Sequence, residues 1–444
     1  RWRTSLMSSS RFLVGIAVAI SLLVVNVSLA QLGQAVQGAL QQPQPPPQPP
    51  PQNNNSGNPA PPPPPTPVRV VPLSGDPVPP SQLSDSLKQS ATPDPGQIDA
   101  AVASVCTMMA DDTHPATQSA CRDWLVLGLS DSTGTADAAS FLQIYAQSIN
   151  NHLLNLVKSP NASVRLKILA GIVAARVGDA SLNAETMDLA SQLMQDPSPA
   201  VVLEGIKAAA PVVPAAMGSP LFAAKATPFA KEIERAALRN CQGPLEASIV
   251  DSAYTALEPL FNYGRRVPNL PQMISQTLLP VTLDMLNQRL QMYRKGPVAG
   301  APQDAEAFVE LFDSQLWGVG GSPPLISGPT QIQVLQAYSD LVGVTADWAM
   351  SPAPQAEPYH DDMIDSLKFL GQIMRTFADP QTGPQPDGNL FSAGDEMSGL
   401  GTASANSQIS EAQTLMWNDL SAFAKNKGAA DGINPAPLVD AVGQ

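Results

Sequence analysis

Histidine is the residue type best suited to chemistry at neutral pH, and this chain contains only three. His114 follows two aspartates in a turn, and His360 precedes two aspartates at the predicted start of a helix. The helix dipole favours acids at a helix start, and adjacent helical residues point in different directions. Neither group therefore predicts a metal site. His152 lies on an apolar helical stripe, which favours a buried or groove-facing histidine with its ring nitrogens satisfied.

Motifs that carry catalysis or bind cofactors are absent from the sequence. It contains no His-Glu-x-x-His zinc motif, no paired Cys-x-x-Cys, no nucleophile elbow and no phosphate-binding loop. Gly399 and Gly401 lack the third glycine and the preceding strand of a dinucleotide-binding turn. The sequence therefore predicts a protein that is not an enzyme and that uses no metal and no cofactor.

Two of the three cysteines are spaced as partners across a helical hairpin. Cys106 and Cys121 lie at equal distances from a break centred between Thr113 and His114. In an antiparallel helix pair this spacing places them at one level, near the Cα separation of about 5.5 Å that a disulfide needs. In an exported protein it predicts a Cys106–Cys121 disulfide. Cys241 is left over and is predicted to be a buried structural thiol.

The 444-residue chain is acidic, with a formal net charge of −14. An acidic surface repels the phosphates of nucleic acids and the headgroups of anionic lipids. The net negative charge therefore predicts that the protein binds neither nucleic acids nor, by electrostatic attraction, a membrane surface. The length suffices for one large helical array or for two to three ordinary domains.

The first thirty residues have the three-part pattern of a secretory signal peptide. A short basic region precedes an apolar stretch over residues 12–25, and small residues place a cleavage site between Ala30 and Gln31. The alternative is an uncleaved membrane anchor over residues 12–30, a length close to the minimum that spans a bilayer. Both interpretations predict an exported protein in the periplasm, the cell envelope or the medium, and only the second attaches it to a membrane.

Residues 31–96 are predicted to form a disordered, proline-rich tether. Within it, the stretch from Gln41 to Pro80 is dominated by runs of proline. Proline removes the amide donor and fixes φ, so this stretch favours extended polyproline II over helix or sheet. Two interpretations fit this composition. It is either a ligand for a proline-binding module or a semi-rigid spacer that holds the folded part away from its export point.

The middle of the chain contains the same pattern twice, at a constant offset of 37 residues. In each copy a leucine-rich helix runs into a Pro turn, and a second apolar helix follows. The recurring residues are Leu156, Pro160 and Val164 in the first copy and Leu193, Pro197 and Val201 in the second. A unit of this kind cannot bury its own apolar face and must stack on a copy of itself. The repeat predicts a helical solenoid over residues 97–378.

The two Pro turns resemble the entry to the first helix of a HEAT repeat, whose pattern is Asp-Pro-x-x-x-Val-Arg. The matching residues are Pro160, Val164 and Arg165 in the first copy and Asp196, Pro197 and Val201 in the second. The match covers residues 152–213, and each copy holds one half of the family's Asp–Arg pairing. The resemblance implies a right-handed α-solenoid of stacked antiparallel helix pairs, which usually binds proteins. It transfers no catalytic residue.

Helical periodicity continues towards the C-terminus. A linker rich in Gly and Pro at residues 296–302 predicts a sub-boundary inside the repeat domain. Residues 379–407 are rich in Gly, Ser, Pro and Asn, which predicts a flexible loop. A last helix, within residues 408–444, is predicted to cap the open end of the array.

Together these features predict an exported, non-catalytic helical-repeat scaffold or protein-binding module of the cell envelope, with a protein as its partner. A first alternative is an all-α enzyme that acts on an extracellular polymer such as a polysaccharide. Such an enzyme would need paired carboxylates in an aromatic-lined cleft, beside Trp317 or Trp348. A second alternative is a structural envelope protein that self-assembles through its repeat ends.

Overall fold

The computed structural model describes residues 76–129, 138–241, 243–257, 270–318 and 322–435. Within these ranges every regular element is a helix, which confirms the predicted all-α class. All of the described residues belong to one compact unit, Arg69–Gln444. The predictions for the signal peptide, its cleavage between Ala30 and Gln31, the anchor and the tether up to residue 75 lie outside the described residues.

Sixteen α-helices are present in the described part of the chain. In chain order they are α1 (Asp85–Lys88), α2 (Pro95–Met109), α3 (Pro115–Leu127), α4 (Ala138–Val157), α5 (Val164–Ser181), α6 (Met187–Met194), α7 (Pro199–Gly218), α8 (Ala223–Arg239), α9 (Glu246–Leu257), α10 (Leu270–Lys295), α11 (Ala301–Leu311), α12 (Ser314–Trp317), α13 (Gly328–Met350), α14 (His360–Phe377), α15 (Gly388–Ser398) and α16 (Asn406–Asn426). A 3₁₀ turn, Glu357–Tyr359, leads into α14.

The helices stack in two layers, and the chain alternates between them along most of its length. Layer A consists of α3, α5, α7, α9, α11, α14 and α15, each packed on the next. Layer B consists of α2, α4, α6, α8, α10, α13 and α16, again each packed on the next. Consecutive helices such as α2 with α3 and α4 with α5 also pack across the layers. This is the stacked helix-pair order predicted from the repeat, and its handedness stays a prediction.

Local sequence explains where several of these helices begin. Ser163 precedes α5 and its side chain accepts a hydrogen bond from the amide of Leu166, which satisfies one of the orphan donors of the first turn. Ser327 caps α13 in the same way, and Pro follows at the start of that helix. Asp94 caps α2, where Pro95 occupies the first helical position. These three helix starts are therefore encoded by Ser or Asp caps, with proline in the first turn of α2 and α13.

Helix α7 lies at the centre of the stack, where it packs on α5, α6, α8, α9 and α10. It is the one described helix with the length and apolar composition of a membrane span, having 20 residues and a mean hydropathy of 1.5. In that helix 72% of the apolar window is buried inside the structure. Its interior prolines, Pro211 and Pro214, are buried as well. The apolar character of α7 is accounted for by its five helical neighbours.

Two segments that the sequence assigns to irregular chain are helical. The composition of residues 379–407 predicts a flexible loop, but this segment contains α15, which packs on α14 and α16. The predicted tether reaches residue 96, yet the structure contains α1 within it, packed on α4. A glycine-rich segment forms a loop only when no other element packs against it. In α15, contacts with α14 and α16 override the weak helix propensity of the sequence.

The linker at residues 296–302 does not divide the structure. The carbonyl oxygen of Ala299 accepts a hydrogen bond of 2.6 Å from Nη2 of Arg289. Gly300 has a φ of 88°, which favours glycine, and forms the cap that starts α11. The linker is thus a tight turn between layers, fixed by a buried side chain.

Candidate functional site

Polar side chains at the repeat turns link each turn to its neighbour. Arg165 reaches back to α3, where its Nε donates to Oε1 of Gln118 at 3.0 Å and its Nη2 to the carbonyl of Pro115 at 3.0 Å. Nζ of Lys167 lies 2.7 Å from Oδ2 of Asp196 in the next turn. A ladder therefore runs across the first repeats, although Asp196 is paired with Lys167 rather than with an arginine.

The two copies of the repeat are packed differently. Pro160 and Pro197 are both exposed, and each lies in a turn that leads from a helix of layer B to a helix of layer A. Val201 is fully buried in α7, whereas the equivalent Val164 at the start of α5 is 48% exposed. The repeat-defining residues thus fix the turns and the ladder. None of them lines a pocket with chemically reactive neighbours that the structure describes.

Each histidine is engaged by an aspartate. Nε2 of His152 lies 2.9 Å from Oδ1 of Asp99, and the hydroxyl of Ser148 donates to the same oxygen at 2.8 Å. The hydrogen bond from Ser148, followed by that from His152, lowers the pKa of Asp99. Nδ1 of His114 lies 2.8 Å from Oδ2 of Asp111. In the described part of the chain no three His, Cys, Asp or Glu side chains are arranged to hold a metal ion.

The cysteines are three free, buried thiols. The predicted Cys106–Cys121 disulfide is therefore not formed in this structure. Burial, and next the neighbouring Cys121, raises the pKa of Cys106 to about 12, and burial raises the pKa of Cys121 to about 11. Because Cys121 contributes to the raised pKa of Cys106, the two thiols are neighbours between α2 and α3 without a bond between them. Burial also raises the pKa of Cys241 to about 11, so none of these thiols is activated.

The largest concentration of charge in the described core is an ion cluster around Arg289 of α10. Its side chain is fully buried. Nη2 lies 2.7 Å from Oδ2 of Asp304 in α11, and Nη1 lies 2.8 Å from Oε1 of Glu246 in α9. The hydroxyls of Tyr254 and Tyr293 each donate to Asp304 at 2.7 Å. Burial raises the pKa of both tyrosines, which therefore stay protonated donors. The cluster ties α9, α10 and α11 together where the repeat period drifts.

A pair of acids, Glu234 of α8 and Asp284 of α10, lies in layer B. Glu234 is 4% exposed, and Nε2 of Gln288 donates to its Oε1 at 2.8 Å. Burial, then the charge and the hydrogen bond of Asp284, raise the pKa of Glu234 to about 7. Burial and the neighbouring carboxyl both penalise the ionised form of Glu234, so this side chain holds a proton near neutral pH.

Glu234 is expected to make stability depend on pH. Its pKa is about 7 when folded and that of an ordinary glutamate when unfolded, so folding takes up a proton between these values. Its contribution is therefore full at pH 4 and is lost as pH rises through 7. Urea unfolding of Glu234→Gln at pH 5 and at pH 8 is expected to show a variant that gains stability relative to the wild type only at pH 8.

The matched control is Glu232→Gln on the same helix, where Glu232 accepts from Ser191 and Gln195 at the surface. Its difference from the wild type should be the same at both pH values. Equal pH slopes for Glu234→Gln and the wild type would contradict the raised pKa of Glu234.

Two further carboxyls with raised pKa values lie in layer A, at the end of α11 and just beyond it. They are Glu310 and Asp313, and burial is the first cause in both cases. Burial, and next the charge of Asp313, raises the pKa of Glu310 to about 8, and its Oε2 has no hydrogen-bond partner. At neutral pH Glu310 is therefore largely protonated, which avoids the cost of an unpaired buried charge.

The two tryptophans on which a sugar-binding cleft would depend are core residues. Trp317 is 2% exposed, and its indole nitrogen donates to the carbonyl of Leu311 at 2.8 Å. Trp348 is 3% exposed, and its indole nitrogen donates to the carbonyl of Tyr293 at 2.6 Å. A pocket of about 340 Å³ lies between α13 and α14, and its lining contains one carboxylate, Glu357, and one imidazole, His360. That lining offers no pair of carboxylates for glycoside hydrolysis.

Sequence reasoning missed both the ion cluster and the acid pair. Glu246, Arg289 and Asp304 are far apart in the chain, and no local motif connects them. The available signal was a charged residue on an apolar helical stripe: Arg289 follows Leu286 and precedes Leu290 in α10. A charge in that position predicts a buried partner.

No protein-family model matches this chain, and the comparison with curated proteins finds no relative. Among solved structures, an engineered protein is similar at 12% sequence identity and a TM-score of 0.28. The alignment covers 75% of this chain and 93% of the engineered protein.

Proposed function

We propose that this protein is an exported, non-catalytic helical-repeat scaffold that binds a protein partner along the solvent-facing surface of layer A. The observation that carries the proposal is the two-layer stack itself, which runs from α2 to α16. Stacked helix pairs present a long continuous surface, and such surfaces suit large or extended partners. The core positions of Trp317 and Trp348 support a binding role over polysaccharide hydrolysis.

Layer A is favoured as the binding side because its helices approach one another very closely. A methyl group at Gly171 of α5 would lie 2.6 Å from Cβ of Glu204 in α7. A methyl group at Gly371 of α14 would lie 2.8 Å from the carbonyl oxygen of Gly394 in α15. Close packing on one side bends a stack towards that side, and the inner side of a solenoid is its usual binding surface.

Site-specific photo-crosslinking tests the proposed binding side. A photoreactive residue is placed at exposed positions of layer A, Thr255 in α9 and Gln372 in α14, in the protein produced by its native host. Matched controls are exposed positions of layer B, Gln291 in α10 and Thr414 in α16. One discrete adduct with a second protein is expected from both layer A positions and from neither control.

Three outcomes contradict this proposal. Equal adducts from the two layers would remove the preference for layer A. Adducts made only of two copies of this chain would favour the self-assembling envelope protein. Release of soluble sugars from an envelope polysaccharide by the purified protein would favour the enzyme.

The export part of the proposal is tested by N-terminal mass spectrometry of the mature protein. A cleaved signal peptide predicts a chain that begins at Gln31 or a near neighbour. A mature chain that retains residues 12–30 in the membrane fraction would favour the anchor instead. A chain that retains them in the cytosol would contradict export.

A further inference from the structure

The last part of the proline-rich stretch is docked on α3. We call residues 76–88, which end with α1, the arm. The hydroxyl of Thr117 donates to the carbonyl of Pro77 at 2.9 Å, and the indole nitrogen of Trp124 donates to the carbonyl of Pro80 at 2.8 Å. A third hydrogen bond runs in the opposite direction: Nε2 of Gln82, which belongs to the arm, donates to the carbonyl of Trp124 at 3.1 Å. Three hydrogen bonds therefore join the arm to one helix.

The two donors on α3 match the repeat of an extended proline-rich chain. Thr117 and Trp124 are seven residues apart, which is about 10.5 Å along a helix. Pro77 and Pro80 are three residues apart, which is one turn of polyproline II and about 9.3 Å. Polyproline II has no internal hydrogen bonds, so its carbonyls are free to accept such donors. An arm in this conformation would therefore present equivalent carbonyls of successive turns to the helix.

The arm is held mainly by its backbone and by two leucines, and of its three prolines only Pro79 is half-buried. Val78 is 75% exposed, and Pro77 and Pro80 are exposed as well. Leu83 and Leu87 are each 8% exposed, and α1, which carries Leu87, packs on α4. The contact therefore requires an extended segment with free carbonyls three residues apart, followed after three residues by a leucine.

The receiving face of α3 is fixed independently of the arm. Gln118, next to Thr117, is fully buried, and its Nε2 donates to the carbonyl of Met109 and to Oδ1 of Asp112. Arg165 of α5 donates to Oε1 of the same glutamine. These bonds hold α3 to α2 and α5, so the face does not need the arm in order to exist.

We propose that the face of α3 that carries Thr117 and Trp124 is a docking groove for proline-rich peptides in the polyproline II conformation. The arm fills this groove in cis and is a replaceable ligand. The proposal concerns a site separate from the partner surface of layer A and does not depend on it. A tethered ligand has an effective concentration in the millimolar range, so a free peptide competes well only when the arm is weakened.

The test uses the full chain with Leu83→Ala and Leu87→Ala, which weaken the arm and leave α3 intact. The probe is a fluorescent synthetic peptide of residues 76–88, and binding is followed by anisotropy. The weakened chain is expected to bind this peptide at least tenfold more tightly than the wild type. In that background Thr117→Val removes one hydrogen bond and should weaken binding about 3- to 10-fold. Thr117→Ser keeps the hydroxyl and should stay within about twofold.

Two control peptides distinguish specific binding in the groove from nonspecific binding to the protein surface. A scrambled peptide of the same composition should not bind. A peptide of residues 41–51, which has proline runs without a leucine, should bind more weakly than the arm peptide. Equal binding of the arm and scrambled peptides, or no gain over the wild type in a folded weakened chain, would overturn the proposal.

A second measurement covers the case in which the weakened chain does not fold. A spin-labelled arm peptide is added in millimolar excess to the ¹⁵N-labelled wild-type chain. The indole N–H signal of Trp124, assigned from its loss in Trp124→Phe, should broaden selectively. No broadening at any peptide concentration would show that the arm is a fixed part of the fold.

Discussion

Replacing Asp304 with asparagine is expected to lower the free energy of unfolding by about 3–5 kcal/mol, because it breaks a fully buried ion pair. Asp304 accepts from Arg289, Tyr254 and Tyr293 with both of its oxygens. An asparagine keeps the volume but turns one acceptor into a donor that faces other donors. The Arg289 guanidinium would then retain Glu246 as its one carboxylate in the described core.

The measurement is the free energy of unfolding in urea, compared between variants that have the same m-value. The matched control is Asp251→Asn in α9. Asp251 is exposed, so the control is expected to change stability by no more than about 0.5 kcal/mol. Tyr254→Phe removes a single donor and is expected to cost about 1 kcal/mol. A loss below about 1 kcal/mol for Asp304→Asn would mean that the cluster is hydrated or rearranges, and that it does not fasten α9 to α11.

The regular part of the fold was predictable because its information is local. The Pro turns at Pro160 and Pro197, the cap at Ser163 and the spacing of apolar residues all act within a few residues of chain. These signals predict helices, short turns and therefore antiparallel neighbours. Stacking follows because an amphipathic helix pair leaves one apolar face uncovered. The all-α class and the alternation between layers needed no more than this.

The ion cluster was not predictable because its partners are distant in the sequence. Glu246 and Arg289 are 43 residues apart, and their meeting depends on how α9 and α10 pack. The same is true of Glu234 and Gln288, which are 54 residues apart. Composition also misleads at Gly388–Ser398, where a segment rich in Gly, Ser, Pro and Asn predicts a loop and the structure has a helix. Within this helix Gly394 allows close packing on α14, which a single sequence does not distinguish from flexibility.

Replacing Gly371 with alanine tests this packing, and it is expected to destabilise the protein although alanine is the better helix former. An added methyl group would lie 2.5 Å from the amide nitrogen of Ser398 and 2.8 Å from the carbonyl oxygen of Gly394. Both atoms belong to the backbone of α15, so the helix has to move as a whole. Overpacking of this kind costs about 1–3 kcal/mol or more, which outweighs a gain in helix propensity of at most about 1 kcal/mol.

The control for Gly371→Ala is Gly388→Ala in α15, where an added methyl group meets nothing within 4 Å. That variant should be as stable as the wild type or more stable, because alanine replaces glycine at no steric cost. Hydrogen exchange of the amides in α15 is the sensitive readout. Gly371→Ala should speed exchange across Gly388–Ser398 and leave α5 unchanged, since α5 lies far along the stack. Equal stability of the two variants would contradict a close crossing of α14 and α15, and with it part of the argument that layer A is the inner side of the stack.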